Sequence, residues 1–258
     1  VPELLEIEMY RRGAASLVGR TIESIEAPDD WYLKGVDQNA IAAALTGATI
    51  ESLERVGKLL LVETTHGSVG LRFGMTGILM IDGDPVIDEL EYSSKRLDPD
   101  WDRFTARFSD GGSLAMNDPR RLGGVELDPD LDRLGPDAWS VTGNQLAWLF
   151  GKYKVATKAL LLNQKRLAGL GNLLVDELLW RSDISPLRPA NEVDPDAVNR
   201  LTTELVPMLD ELYDRGGSNC GDHFPQRGPD GRCPRDGAEM THDTVGGRST
   251  WWCRTHQF

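Results

Sequence analysis

The chain has 258 residues, 40% of them hydrophobic and 27% charged. That supports a real core in two domains, or two plus an appendage, and excludes global disorder. No run of about 20 apolar residues occurs, which excludes a hydrophobic membrane-spanning helix. Three cysteines, all beyond residue 219, cannot build a disulfide framework. Forty-one acids against 28 bases leave a net charge of −13, a balance that in bulk opposes nucleic acid, because phosphate neutralisation needs Lys and Arg. The acids concentrate at 82–102 and 126–137, whereas bases gather at Arg120-Arg121, from Lys152 to Arg166 and from Arg227 to Arg254. Basic strips on an acidic body are therefore expected. The acidic opening has no basic lead into an apolar segment, so no secretory signal is expected, and the cytosol is the expected compartment.

Along the chain, Pro2 suits the first turn of a helix, and Glu3 and Glu6 suit its positive end. Leu4, Ile7, Tyr10, Ala14, Leu17 and Val18 recur at helical spacing until Gly19. From Thr21 to Met116 the pattern shortens to strand-sized runs at 22–25, 58–63, 69–73, 78–81, 104–108 and 113–116. Turn pairs such as Asp82-Gly83 divide them, and a helical interruption is predicted near Gln38 to Leu45. Residues 125–140, rich in Asp and Pro, read as a linker. Helical spacing returns at 144–151, 155–162, 173–181 and 194–213; beyond Gly216 a small hairpin held by something other than a core is predicted. The expected fold is α+β and multidomain: an N-terminal helix with a β-sandwich over 1–125, a linker over 126–140, a helical domain over 141–216 and a C-terminal hairpin over 217–258.

Three constellations bear chemistry. Pro2 with Glu3 and Glu6 is an ordinary helix start unless Pro2 is the first residue. In that case its secondary amine can attack a sugar C1′ carbon and form an iminium, with a neighbouring carboxylate moving protons. In Ala168-Gly169-Leu170-Gly171-Asn172, two glycines permit a tight double turn between helices, Asn172 can cap the second helix, and the exposed amides suit an anion. An ordinary helical hairpin fits the same residues. Cys233-Pro-Arg-Asp236 and Cys253-Arg-Thr-His256, separated by residues 237–252, have the spacing of a four-ligand zinc hairpin. Cys220-Gly-Asp-His223 is a third pair of the same spacing and His242 a further donor, so the fourth ligand stays open among Asp236, Cys220, His223 and His242, with a metal-free hairpin as the alternative.

In this order the three constellations resemble the formamidopyrimidine-DNA glycosylase and endonuclease VIII family. The start from Pro2 to Glu8 is similar to that family's Pro-Glu-Leu-Pro-Glu-Val-Glu opening, with Leu5 replacing a proline. Val56 to Leu61 resembles its strand with a phosphate-binding lysine. Phe73 to Gly77 and Asn117 to Gly123 resemble the loops that enter the helix beside the lesion. Leu160 to Pro186 resembles its helix–two-turn–helix, and Gly247 to Cys253 the arm of its zinc hairpin.

The resemblance implies a bifunctional enzyme of base-excision repair that flips an oxidised base out of DNA, cuts the glycosidic bond and nicks the abasic strand by β-elimination. It implies Pro2 as nucleophile, Glu3 as general acid and base, and Glu6 as its assistant. Lys58, Asn172 and Arg248 would grip phosphates, helped by Arg72, while Met75, Arg120 and Leu122 would fill the vacated stack. One structural zinc on Cys233, Asp236, Cys253 and His256, damaged DNA as partner, no membrane, a monomer, and a cytoplasmic location at the nucleoid when DNA is bound complete the expectation. Three departures stand out. Val1 precedes Pro2, and a translated GUG start removed as methionine would free the proline; a retained Val1 would make its nitrogen an amide. Leu122 replaces the usual phenylalanine, and the 217–233 segment lacks the loop that caps a flipped base in oxidised-purine enzymes. The alternative is a catalytically silent nucleic-acid-binding member of the same fold.

Overall fold

The computed structural model describes residues 2–88, 90 and 96–258. Val1, and part of the acidic stretch 82–102, lie outside the described residues. The chain divides into two compact units, Val1–Leu131 and Asp132–Phe258.

In the first unit, α1 (Leu4–Gly13) takes Glu3 as its N-cap, so Pro2 stands just outside the helix rather than in its first turn. The expected helix tightens after Gly13, a poor helix former, into a 3₁₀ turn over Ala14–Leu17. The helix α2 (Gln38–Leu45) starts on Asp37, whose side chain accepts from the Ala40 N–H at 2.8 Å. Among the described residues ten strands occur: β1 (Ile22–Glu26), β2 (Leu33–Lys34), β3 (Ile50–Val56), β4 (Leu59–Thr64), β5 (Gly67–Arg72), β6 (Ile78–Ile81), β7 (Asp84–Pro85), β8 (Asp102–Phe108), β9 (Ser113–Asn117) and β10 (Gly124–Leu127). They form two five-stranded sheets, ordered β1-β8-β9-β6-β7 and β2-β10-β5-β4-β3. Phe104, Ala106 and Phe108 of the first sheet and Val62, Val69 and Leu71 of the second belong to one buried core, as a sandwich requires. The run Leu59-Leu60-Leu61-Val62 is buried on both faces, with α1 lying against β3 and β4. Strand β3 escapes the sequence pattern because its register shifts between Ile50 and Ser52, which puts the buried Ile50 and Leu53 three apart instead of two.

The stretch 126–140 is more structured than its composition suggests. Glu126 and Leu127 pair with Gly70 and Val69, and Asp137 bridges to Ala168, with the Ala138 N–H donating to the Ala168 carbonyl at 2.9 Å. The boundary between the units falls inside this stretch.

In the second unit, α3 (Gly143–Lys152), α4 (Thr157–Leu161), α5 (Asn172–Arg181) and α6 (Pro195–Arg215) follow the predicted segments. Thr142 and Gln145 form a capping box for α3, and α6 starts at Asp194-Pro195 and stops at Gly216 with φ +111°. Both α3 and α5 pack on α6, and β12 (Arg248–Trp252), paired with β11 (Thr241–Val245), lies against α5. Trp180, Cys233, Met240 and Cys253 form a small buried cluster beneath this hairpin, with Ala238 and Trp251 packed against it. No described helix is long and apolar enough to cross a membrane.

Candidate functional site

The start of α1 brings the proline and two carboxylates together in a buried setting. Glu3 and Glu6 are 1% and 5% exposed. They form a reciprocal capping box, with the Glu3 N–H donating to Glu6 Oε2 at 2.7 Å. Pro2 is buried immediately before them. Tyr10, two turns along, stacks on Phe73 with ring centroids 4.4 Å apart and donates its hydroxyl to the Gly77 carbonyl at 3.2 Å. Burial, reinforced by the Glu6 charge, pushes the Tyr10 hydroxyl up and keeps it a neutral donor. The helix that carries the acids thereby holds both ends of the 73–77 loop.

That loop meets the 117–123 loop backbone to backbone. Gly74 has φ +58°, and a Cβ there would lie 2.4 Å from the Leu122 carbonyl carbon, so only glycine fits. Asp118, fully buried, accepts the Thr76 hydroxyl at 2.7 Å and the Arg120 N–H at 3.2 Å on Oδ1, and the Gly123 N–H at 2.8 Å on Oδ2. Arg121, at φ +58°, turns its guanidinium onto Asp29, Nη2 to Oδ1 2.6 Å. Arg120 and Leu122 on either side stay exposed, Leu122 at 49%, and Met75 is half-buried. Asp118 and Thr76 were not singled out from sequence; the signal was an Asp before Pro at a turn, an acceptor for nearby backbone donors.

Lys58 is not in the strand where it was expected but in the two-residue turn before it, with Gly57 at φ +58° and Val56 paired to Leu59. Arg72 ends β5 and is tied to Glu126, Nη2 to Oε2 3.0 Å.

In the second unit, Asn172 is the first residue of α5 and not its cap, a place Gly171 takes. Its Nδ2 donates to the Ser249 carbonyl at 3.2 Å. The same carbonyl receives Lys158 Nζ at 3.2 Å and Arg227 Nη2 at 3.3 Å, and both cations also contact the buried Asp176. The strand beside Arg248 is thus tied to α4 and α5. Arg248 itself is exposed at the hairpin tip, directly after Gly246 and Gly247 at φ +59° and +72°.

At the other end of the hairpin, the ligand atoms of Cys233, Asp236, Cys253 and His256 all lie within 4.8 Å of one another, a group that could hold a metal ion. Each half is a tight turn: the Gly237 N–H donates to the Cys233 carbonyl at 2.9 Å and the Gln257 N–H to the Cys253 carbonyl at 3.0 Å. His256 turns Nδ1 towards Asp236 Oδ2, 3.2 Å away, while Nε2 sits 3.9 Å from Asp183. The Ala238 N–H holds the Asp236 carboxyl down at about 2, with further lowering from His256. Trp180 Nε1 donates to Cys233 Sγ at 3.4 Å. Two thiols, an imidazole and a carboxylate suit zinc, and the outer contacts to His256 and Cys233 suit a metal centre. The rival donors stand apart from this group. His223 Nε2 engages the Trp251 carbonyl at 2.8 Å, His242 engages Ser249 Oγ at 2.9 Å, and Cys220 neighbours Asn219.

Residues 1–125 match the family model described as formamidopyrimidine-DNA glycosylase N-terminal domain, and residues 134–222 the one described as formamidopyrimidine-DNA glycosylase H2TH domain. The formamidopyrimidine-DNA glycosylase of Paracoccus denitrificans is 34% identical over 281 residues, covering 98% of each chain. That of Xanthomonas axonopodis pv. citri is 32% identical over 284 residues, covering 100% of each. Among solved structures, the Lactococcus lactis enzyme non-covalently bound to DNA with an abasic site matches with a TM-score of 0.83 and 27% identity, covering 99% of each chain. The same organism's wild-type enzyme with DNA carrying an N7-benzyl-Fapy-dG lesion matches with a TM-score of 0.82 and 26% identity, again over 99% of each.

Proposed function

Because this chain belongs to the formamidopyrimidine-DNA glycosylase family, we propose that it excises oxidised bases from DNA and then nicks the abasic strand through an iminium on the Pro2 nitrogen. It is a glycosylase of that type, acting on damaged DNA. The supporting observation is local: two carboxylates, nearly excluded from water and each accepting the other residue's backbone N–H, adjoin a buried proline. Attack of the Pro2 amine on C1′ breaks the bond to the base, which leaves with a proton delivered through Glu3. The proton on the nitrogen then passes through the Glu3 carboxylate to the ring oxygen as the C1′–O4′ bond breaks and the iminium forms. A C2′ proton is lost to the same carboxylate, the 3′ phosphate departs with the bonding pair, and water hydrolyses the iminium to free Pro2. Glu6, paired with Glu3, holds it in place and shares its protons. The reaction needs Pro2 with a free amine.

The remaining roles divide by segment. Residues 2–125 supply chemistry and wedge, with Met75, Arg120 and Leu122 filling the stack and Lys58 and Arg72 meeting phosphates. Residues 126–140 join this part to 141–216, where Asn172 takes a further phosphate. In 217–258, Arg248 completes the grip. Cys233, Asp236, Cys253 and His256 would hold one zinc ion, which supplies a structural clamp and takes no part in the reaction.

Glu3→Gln is the direct test. Glutamine keeps an acceptor for the capping box but loses the titrating group. Base excision should vanish while binding to abasic-site duplex stays near wild type. Binding that falls in step with activity would reduce Glu3 to a helix cap and favour a silent DNA-binding protein.

A further inference from the structure

We propose that Asp118 is a positioning residue that joins the 73–77 and 117–123 loops into one rigid wedge, so that Met75 enters the DNA stack only together with Arg120 and Leu122. The inference rests on the wedge role proposed above for those three side chains. Its basis is the environment of one carboxylate. Asp118 is fully buried, a costly place for a charge unless every lone pair finds a donor. Its two oxygens are met by one side-chain hydroxyl and two backbone N–H groups, at 2.7, 3.2 and 2.8 Å. Two of these donors, Arg120 and Gly123, bracket the exposed tip of their own loop. The third, Thr76, belongs to the loop reaching in from β5, 42 residues away in sequence.

Contacts at both ends of the clamp leave little play. Gly74 and Leu122 touch through their backbones with no side chain between them. The Asp118 carbonyl accepts Arg103 Nε at 3.0 Å, and Arg121 is anchored on Asp29. Loops fixed in this way still present Arg120 and Leu122 to solvent. Rigidity there has a purpose. Extruding a base leaves a gap that must be filled on both strands at once, and two wedges moving separately would fill it in two costly steps. Charge-assisted hydrogen bonds to a buried carboxylate are the strong kind. Asp118 therefore governs the extrusion step and leaves the chemistry at Pro2 untouched.

The test uses Thr76→Val, which keeps the shape and removes only the hydroxyl linking the loops, with Thr76→Ser as the conservative variant. The first probe is a duplex with an abasic site and 2-aminopurine as its neighbour, followed by stopped-flow fluorescence. The second is a single-stranded abasic oligonucleotide trapped with borohydride, which needs no extrusion. Thr76→Val should slow the fluorescence rise about tenfold, the loss expected for one hydrogen bond to a buried charged group, and leave single-strand trapping unchanged; Thr76→Ser should recover the rise. Met75→Ala and Leu122→Ala, alone and together, should be non-additive in the wild type and additive in Thr76→Val. Unchanged fluorescence in Thr76→Val, or equal slowing of both probes, would overturn the proposal. If Met75→Ala and Leu122→Ala also leave the fluorescence unchanged, the wedge reading itself has failed.

Discussion

Lys58 and Arg72 were expected to share the task of meeting phosphate, yet their surroundings differ. Lys58 stands in the two-residue turn between β3 and β4. Arg72, partly exposed, is already paired with Glu126. The pair is partly buried, and it must be given up before Arg72 can bind a phosphate. Lys58→Ala, at a residue proposed to meet phosphate, should weaken lesion, abasic and undamaged duplexes alike and lower the salt slope of log Kd by about one. Arg72→Ala should lower it by less. Anisotropy titrations over a range of salt would check both, and an unchanged slope in Lys58→Ala would remove it from the grip. At this scale the proposed catalytic residues could be singled out because Pro2, Glu3 and Glu6 lie close together in sequence. Asp118 was not, since its partner Thr76 reaches it only through the fold.

The hairpin shows the same limit for whole elements. The helices α5 and α6 follow from their apolar period, and α6 also from its Asp194-Pro195 start. Spacing alone left three equivalent pairs of donors. Turn geometry then separates them, because the Cys233 and Cys253 turns point their donors at one another while His223 is spent on the Trp251 carbonyl. With so small a core beneath it, the hairpin should depend on its metal. Zinc is expected at one per chain in purified protein, lost in Asp236→Ala and kept in His223→Ala. Chelation should raise protease cleavage within 233–258 and weaken DNA binding through Arg248. Zinc-free protein with full DNA binding would show that Trp251 and Trp252 suffice.

His223 adds a pH dependence to this element. Burial, first of all, pushes its pKa down from 6.5 to about 3, so the folded hairpin binds fewer protons than the unfolded chain between those values. Stability should be fully present above pH 6.5 and be lost as pH falls from there towards 3. His223→Gln should flatten that fall in urea midpoints measured at fixed zinc. An unchanged slope would mean that acid acts elsewhere.

For the molecule as a whole, composition was the poorest guide. A net charge of −13 opposes DNA, but the proposed grip rests on a few cations at turns and tips, of which Arg120 and Arg248 stand exposed. Strands β3 and β10 were hidden by a bulge and by acidic neighbours, so the sandwich was legible as a class while its strand order was not. The central claim concerns one nitrogen, and borohydride trapping reads it most directly. Protein whose intact mass begins at Pro2 would be incubated with abasic-site duplex and borohydride, and the adduct located by peptide mass. The account predicts a covalent adduct on the Pro2 nitrogen in high yield; no adduct, or one on a lysine side chain, would contradict it.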